Sequence, residues 1–246
     1  MNGNTVIKIS GLTKEYSGVK AVDSLNLEIM EGELFALLGV NGAGKTTTIR
    51  MLTGLSEPTG GTAELFGKDI RRDIDKIKPL VGISTQDTAV ADNLTVEENL
   101  RFMAGVYFPG KENKEKVVTR VKEVIATFGL EEVRNRKAKT LSGGWQRKLS
   151  IAMAVIGEPK VLFLDEPTLG LDVLARRELW KAVEILKKST TIILTTHYME
   201  EAEALADRIA VMIKGHLASL GTLEELEKAT GRKGLEEVFI SIAEES

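Results

Sequence analysis

The stretch that most constrains this chain is Gly39-Val40-Asn41-Gly42-Ala43-Gly44-Lys45-Thr46. It fits the pattern G-x-x-x-x-G-K-[ST], and it stands in the surroundings that pattern requires. Before it runs Leu34 to Leu38, continuously apolar, as a strand buried on both faces must be. After it the chain reads as a helix from about Lys45 to Leu52, ended by Gly54 and a Pro58-Thr59-Gly60-Gly61 turn. Glycines let the backbone wrap closely, so amide N–H groups converge on an anion, and the helix start adds positive potential. The loop predicts a phosphate site lined by Gly39, Asn41, Gly42, Ala43, Gly44, Lys45, Thr46 and Thr47. Lys45 is expected to bridge the β- and γ-phosphates of a nucleotide, and the Thr46 hydroxyl to ligate Mg²⁺. Alone, the loop does not choose between an ATPase, a GTPase and a kinase.

The flanking patterns give the fold class. Val6 to Ile9 and Val22 to Ile29 alternate as strands, and a Glu31-Gly32 turn leads into the apolar run. From about Asp87 to Gly157 the pattern turns helical. Thr95 with Glu98 makes a capping box for a helix through Phe102. Val117, Val121, Val124 and Ile125 share one face of a helix over Lys114 to Phe128, and Ser142 is expected to cap another that stops near Gly157. Strand and helix then alternate again: Val161 to Leu164, Val173 to Lys188, Thr191 to Leu194 and a short helix over Glu200 to Ala206. A hairpin follows across Lys214-Gly215, then a charged, helix-prone tail. The expectation is an α/β phosphate-loop NTPase core with an N-terminal antiparallel β subdomain and an inserted α-helical subdomain. Residues 1–86 and 158–221 form the core, 87–157 the insertion and 222–246 the tail, all within one domain of 246 residues.

Composition removes several classes of function. The 33 basic and 36 acidic residues leave a net charge of −3, without the basic excess that a phosphate backbone rewards, so no nucleic-acid partner is expected. With no cysteine, disulfides, thiolate zinc sites and a cysteine nucleophile are ruled out. The apolar runs fall far short of the ~20 residues needed to cross a bilayer. No charged-then-apolar leader opens the chain, so no signal peptide is expected.

A second carboxylate site ends the buried strand Val161 to Leu164. A strand end beside a phosphate loop is where an open α/β sheet places its ligand. Asp165 is expected to bind Mg²⁺ there, and Glu166, projecting differently, to polarise an attacking water.

At Leu141-Ser142-Gly143-Gly144-Trp145-Gln146 the chain resembles the signature sequence of ATP-binding cassette proteins. The companion motifs stand in order: Tyr16, Gln86, Asp165-Glu166, Leu169-Gly170-Leu171-Asp172 and His197. The resemblance runs from Tyr16 to about Gly221. It implies that Tyr16 stacks on adenine, that Gln86 senses the γ-phosphate and joins Thr46 and Asp165 at the metal, and that Asp172 lies beside the nucleotide. It implies that His197 hydrogen-bonds the γ-phosphate. Ser142 with the Gly143 and Gly144 amides would form a second anion site, facing ATP held by another cassette subunit. ATP and Mg²⁺ are the implied ligands, and Glu166, His197, Lys45 and Gln86 the implied catalytic group. Two departures stand out: Trp145 replaces the usual glutamine, and Thr85 stands where many relatives carry proline.

Within the family the chain is most similar to nucleotide subunits of multidrug and daunorubicin-resistance exporters, through Glu166 to Asp172, Gly221 to Leu226 and Leu235 to Phe239. That likeness implies an ATPase docked on a separate integral membrane subunit at the inner face of the cell membrane, with a second copy or a related chain as partner. Soluble cassettes of translation and DNA processing are the alternative. They usually add coiled-coil insertions or a second cassette, whereas this sequence has one phosphate loop and no sustained heptads. A kinase or GTPase is disfavoured by the signature and by the lack of an N-K-x-D stretch.

Overall fold

A computed structural model describes residues 4–245; residues 1–3 and 246, the ends of the expected core and tail, lie outside the described residues. In chain order the elements are β1 (Thr5–Tyr16), β2 (Val19–Met30), β3 (Leu34–Leu38), α1 (Lys45–Leu52), β4 (Gly60–Leu65), β5 (Lys68–Asp69), α2 (Ile74–Ile77) and β6 (Val81–Ser84). There follow α3 (Val96–Tyr107), α4 (Lys114–Phe128), α5 (Gly143–Val155), β7 (Val161–Asp165), α6 (Val173–Lys187) and β8 (Thr191–Thr196). The chain closes with α7 (Met199–Leu205), β9 (Arg208–Ile213), β10 (His216–Gly221), α8 (Leu223–Thr230) and α9 (Leu235–Glu244). These elements divide into two units, one being Pro79–Ser189 and the other the described residues on either side of it.

In the flanking unit, β3 lies between β8 and β9 and runs parallel to both. Every residue of β3 and β8 is buried, which is why neither alternates in sequence. Beside them stands an antiparallel sheet in the order β2-β1-β4-β5. Three hairpins here turn on residue pairs with positive φ: Ser17-Gly18, Phe66-Gly67 and Lys214-Gly215. Positive φ at both central positions gives a turn whose twist matches the strands it joins. The sequence signalled the third pair, but Phe66 is no turn residue by composition. Gly60-Gly61, expected as part of a turn, instead begins β4, because a glycine pair carries no side chains to announce a strand.

In the Pro79–Ser189 unit, β6 and β7 are parallel, from Val81 opposite Val161 to Ser84 opposite Leu164. Helix α5 packs on both strands, and α3, α4 and α5 pack on one another. Strand β6 was not legible in the sequence: it is short, and Gly82 interrupts its pattern. That glycine is a packing requirement, since a Cβ there would collide with the carbonyl oxygen of Ala154 in α5. The Ser84 and Ser150 hydroxyls, buried 3.1 Å apart, tie the same strand to the same helix. The capping box at α3 forms in both directions, Thr95 with Glu98, and the helix continues past Phe102 to Tyr107. In α4 the expected face buries Val121, Val124 and Ile125 with Phe128, while Val117, one turn nearer the helix start, is only half-buried. The expected insertion, residues 87–157, lies inside this unit, which also holds β6, β7 and α6.

Candidate nucleotide site

The sequence-predicted residues fall in both units, and each set has its own geometry. In the flanking unit the loop after β3 closes on itself. Lys45 Nζ donates to the carbonyl oxygens of Gly39 at 2.7 Å and Val40 at 3.3 Å. The loop is anchored at both ends: Gly39 N–H donates to Thr196 at the end of β8, and Gly215 N–H to Ala43. Gly44 precedes α1 with φ near +99°, and no side chain caps the helix. A Cβ at Gly44 would meet the Ala21 carbonyl oxygen at 2.5 Å, so only glycine allows this approach. The first turn of α1 carries no acidic residue, as suits an anion site. Thr46 and Thr47 are half-buried in that turn, while Asn41 and Gly42 are exposed at the loop's crest.

Two further predicted residues belong to the same unit. Tyr16 ends β1 directly before the Ser17-Gly18 turn and is 46% exposed, with Lys14 Nζ 4.9 Å from its ring centre. An exposed ring at a strand end can offer a face for stacking. His197 follows β8 and is half-buried, its ring 4.1 Å from that of Tyr198. The Gly39–Thr196 hydrogen bond ties the start of the phosphate loop to the residue just before His197.

In the Pro79–Ser189 unit, Gln86 is exposed two residues beyond β6. Thr85 donates its hydroxyl to the Asp87 carbonyl at 2.8 Å, a hydrogen bond that restrains the loop. Asp165 ends β7, 3% exposed. Glu166 follows with φ near +50° and 6% exposure. Positive φ at a buried glutamate is uncommon, and it ends the extended backbone of β7 at this residue.

The signature residues begin α5. Ser142 occupies the N-cap position but makes no side-chain cap hydrogen bond, contrary to its expected capping role. Ser142 and Gly143 are exposed and Gly144 half-buried. They line a cavity of about 430 Å³ together with Trp145, Asp172 and Glu178. Asp172 is the N-cap of α6, its Oδ1 accepting from the Leu174 and Ala175 amides at 2.9 Å each. That oxygen therefore serves the helix.

Sequence reasoning passed over Arg147 and Lys148, one turn into α5. Both are buried charges. Lys148 is paired with Glu178 at 2.5 Å, and its ammonium lies 4.5 Å from the Trp145 ring centre. Two adjacent cations just before the apolar positions of a helix were the available signal.

The donor types suit Mg²⁺: the Thr46 hydroxyl in one unit, and the Asp165 carboxylate and Gln86 amide oxygen in the other, are hard oxygens, and this ion takes one or two carboxylates with phosphate oxygens and water. Among the described residues, no cluster of three or more His, Cys, Asp or Glu is placed to hold a metal by itself.

The loop after β3, the carboxylates at the end of β7 and the Ser-Gly-Gly start of α5 each stand where the sequence resemblance placed them, and comparison with known proteins gives the family. The ABC transporter family profile matches residues 22–169. The chain is 43% identical to the daunorubicin/doxorubicin resistance ATP-binding protein DrrA of Streptomyces peucetius, over 92% of this chain and 68% of that protein. It is 40% identical to the probable multidrug ABC transporter ATP-binding protein YbhF of Escherichia coli, over 92% of this chain and 38% of that one. Against ABC transporter A family member 9 of Dictyostelium discoideum it is 43% identical over 98% of its length, but spans 29% of that relative. Among solved structures, an ATP-binding subunit of an ABC transporter superposes with TM-score 0.85 at 28% identity, covering 97% of this chain and 99% of that one. A dimeric ATP-binding cassette bound to ADP and Pi superposes with TM-score 0.81 at 26% identity, covering 88% and 98%. The chain belongs to the ABC transporter family, as one of its ATP-binding cassettes. The resemblance carried by Leu141 to Gln146 and its companion motifs is thus borne out at the level of family and fold.

Proposed function

We propose that this chain is the ATP-binding and ATP-hydrolysing subunit of an exporter and drives a separate integral membrane subunit. The observation that carries the reading is the phosphate loop closed by Lys45, with its uncapped helix start and its forced glycine at position 44. Drug-resistance and multidrug ATP-binding proteins among the relatives favour export.

Lys45 and the loop amides hold the β- and γ-phosphates, and Tyr16 stacks on the adenine. Thr46, Asp165 and Gln86 would hold Mg²⁺, which when bound neutralises charge on the phosphates. Glu166 accepts a proton from the attacking water as that oxygen bonds to the γ-phosphorus and ADP leaves. His197 hydrogen-bonds the γ-phosphate. Ser142 and the amides of Gly143 and Gly144 grip ATP carried by a second cassette, identical or related, so that two chains close on two nucleotides. Gln86 reports the γ-phosphate to the segment 87–100, which meets the membrane subunit. The chain is thereby peripheral on the inner face of the membrane. Among the described residues no helix is long and apolar enough to cross it.

Glu166→Gln tests the reading. The variant should bind ATP like the parent and dimerise on Mg-ATP in size-exclusion chromatography, while turnover falls by about 100-fold or more. Near-normal turnover would remove Glu166 from the role. Tagged Glu166→Gln protein with Mg-ATP should also draw a polytopic membrane protein from native membranes. Ribosomes or DNA-processing proteins in its place would move the chain to the soluble branch of the family.

A further inference from the structure

Arg147, in the first turns of α5, is 3% exposed. A guanidinium at that depth must direct its donors at acceptors, because an unsatisfied buried cation is costly. Here the acceptors are backbone carbonyls from two separate loops. Nη1 donates to Thr85 at 2.5 Å and Gln86 at 3.0 Å, in the segment after β6. Nη2 donates to the Asp165 carbonyl, and Nε to that of Pro167 at 3.0 Å, in the segment after β7. The second pair of carbonyls brackets Glu166, the buried residue whose φ is positive.

We infer that Arg147 is a positioning residue for ATP hydrolysis: one cation in α5 holds the Thr85, Gln86, Asp165 and Pro167 carbonyls and so sets the Gln86 and Glu166 directions together. The inference rests on the hydrolytic reading above. The planar guanidinium suits the task because its donors leave along several fixed directions and reach carbonyls spread around its edge. A lysine ammonium concentrates its donors on one atom and cannot span both loops in that way. Since α5 begins at Ser142-Gly143-Gly144, a shift of its first turns would reach both loops through this one side chain.

The test combines steady-state ATPase kinetics with amide hydrogen exchange on the full chain. Arg147→Lys should lower kcat by about tenfold or more while KM for ATP stays within about threefold. Exchange should quicken in residues 84–88 and 165–170 together, with residues 39–46 unchanged. Arg147→Gln should act in the same direction and replaces the lysine variant if that one fails to fold. In the parent, the amides of residues 85–87 and those of Glu166, Thr168 and Leu169 should open as one cooperative unit, a measurement that needs no variant. A lysine variant that melts earlier but keeps kcat within about twofold would reduce Arg147 to a structural role and overturn the inference. Independent opening of the two segments in the parent would overturn it as well. A parent chain without any ATPase activity would count against the hydrolytic reading, while the exchange data still decide whether Arg147 couples the two loops.

Discussion

Lys45 Nζ donates to the carbonyl oxygen of Gly39 at 2.7 Å, across the phosphate loop from its own position at the start of α1. The side chain is 5% exposed, so its ammonium is already desolvated and aimed into the loop. A phosphate arriving there meets a cation whose rotamer freedom is largely spent, which lowers the ordering cost of binding. Lys45→Ala removes both the charge and the closure. ATP affinity should fall by about tenfold or more in titration calorimetry, on the order of 1.4 kcal/mol. Unchanged affinity would take the loop out of the nucleotide site.

Gly82 carries β6 against α5. An added Cβ would overlap the Ala154 carbonyl oxygen and come to 3.0 Å from Pro159 Cγ. Backbone on one side and a proline ring on the other leave little room to yield, so Gly82→Ala must push strand and helix apart. Overpacking of this kind costs roughly 1–3 kcal/mol. The urea midpoint should drop with an unchanged m-value. An unmoved midpoint would mean that the strand relaxes without loss.

Glu97, in the first turn of α3, accepts from Arg134 Nε at 2.5 Å and Nη2 at 2.8 Å, with Arg101 joining at 2.7 Å. The Arg134 hydrogen bonds are the main reason its carboxyl is held down from 4.5 to about 2, with Arg101 adding to them against the opposing effect of burial. Because the folded value is depressed, the ionised carboxylate stabilises the fold fully above the ordinary value, and its contribution fades as pH falls from there through about 2. Glu97→Gln should therefore melt below the parent at neutral pH, with the gap narrowing as pH drops through that window. A gap that widened in acid would have the wrong sign for this pair.

The sequence was most legible where one residue type answers one physical demand. The phosphate loop needs its glycines and its lysine, the strands buried on both faces need continuous apolar runs, and the α3 capping box needs Thr95 and Glu98. Less legible were features that depend on distant backbone. Gly82 breaks the pattern of β6 because a carbonyl of α5 passes close by, and nothing local says so. The positive φ of Glu166 is set by what surrounds it, since glutamate does not seek that conformation. Arg147 reads as one more charge on a helix until the two loops it holds are in place. Ser142 shows the converse: its residue type suggested a cap, yet it sits at the cap position without making the bond.

Trp145 stands at the position of the Leu141 to Gln146 stretch where the sequence resemblance leads one to expect glutamine. Its ring packs on the Lys148 ammonium, itself paired with Glu178, so the indole is held by its own helix and by α6. The groups proposed to grip phosphate are the Ser142 hydroxyl and the Gly143 and Gly144 amides, and none of them depends on the side chain at position 145. Trp145→Gln gives up a cation–π contact to a buried ammonium, roughly 0.5–2 kcal/mol, so the melting temperature should fall. ATP affinity should stay within about twofold and turnover within about tenfold of the parent. A rise in turnover beyond that limit would show that the indole restrains the cavity it lines, and that this departure from the family pattern governs how fast the cassette works.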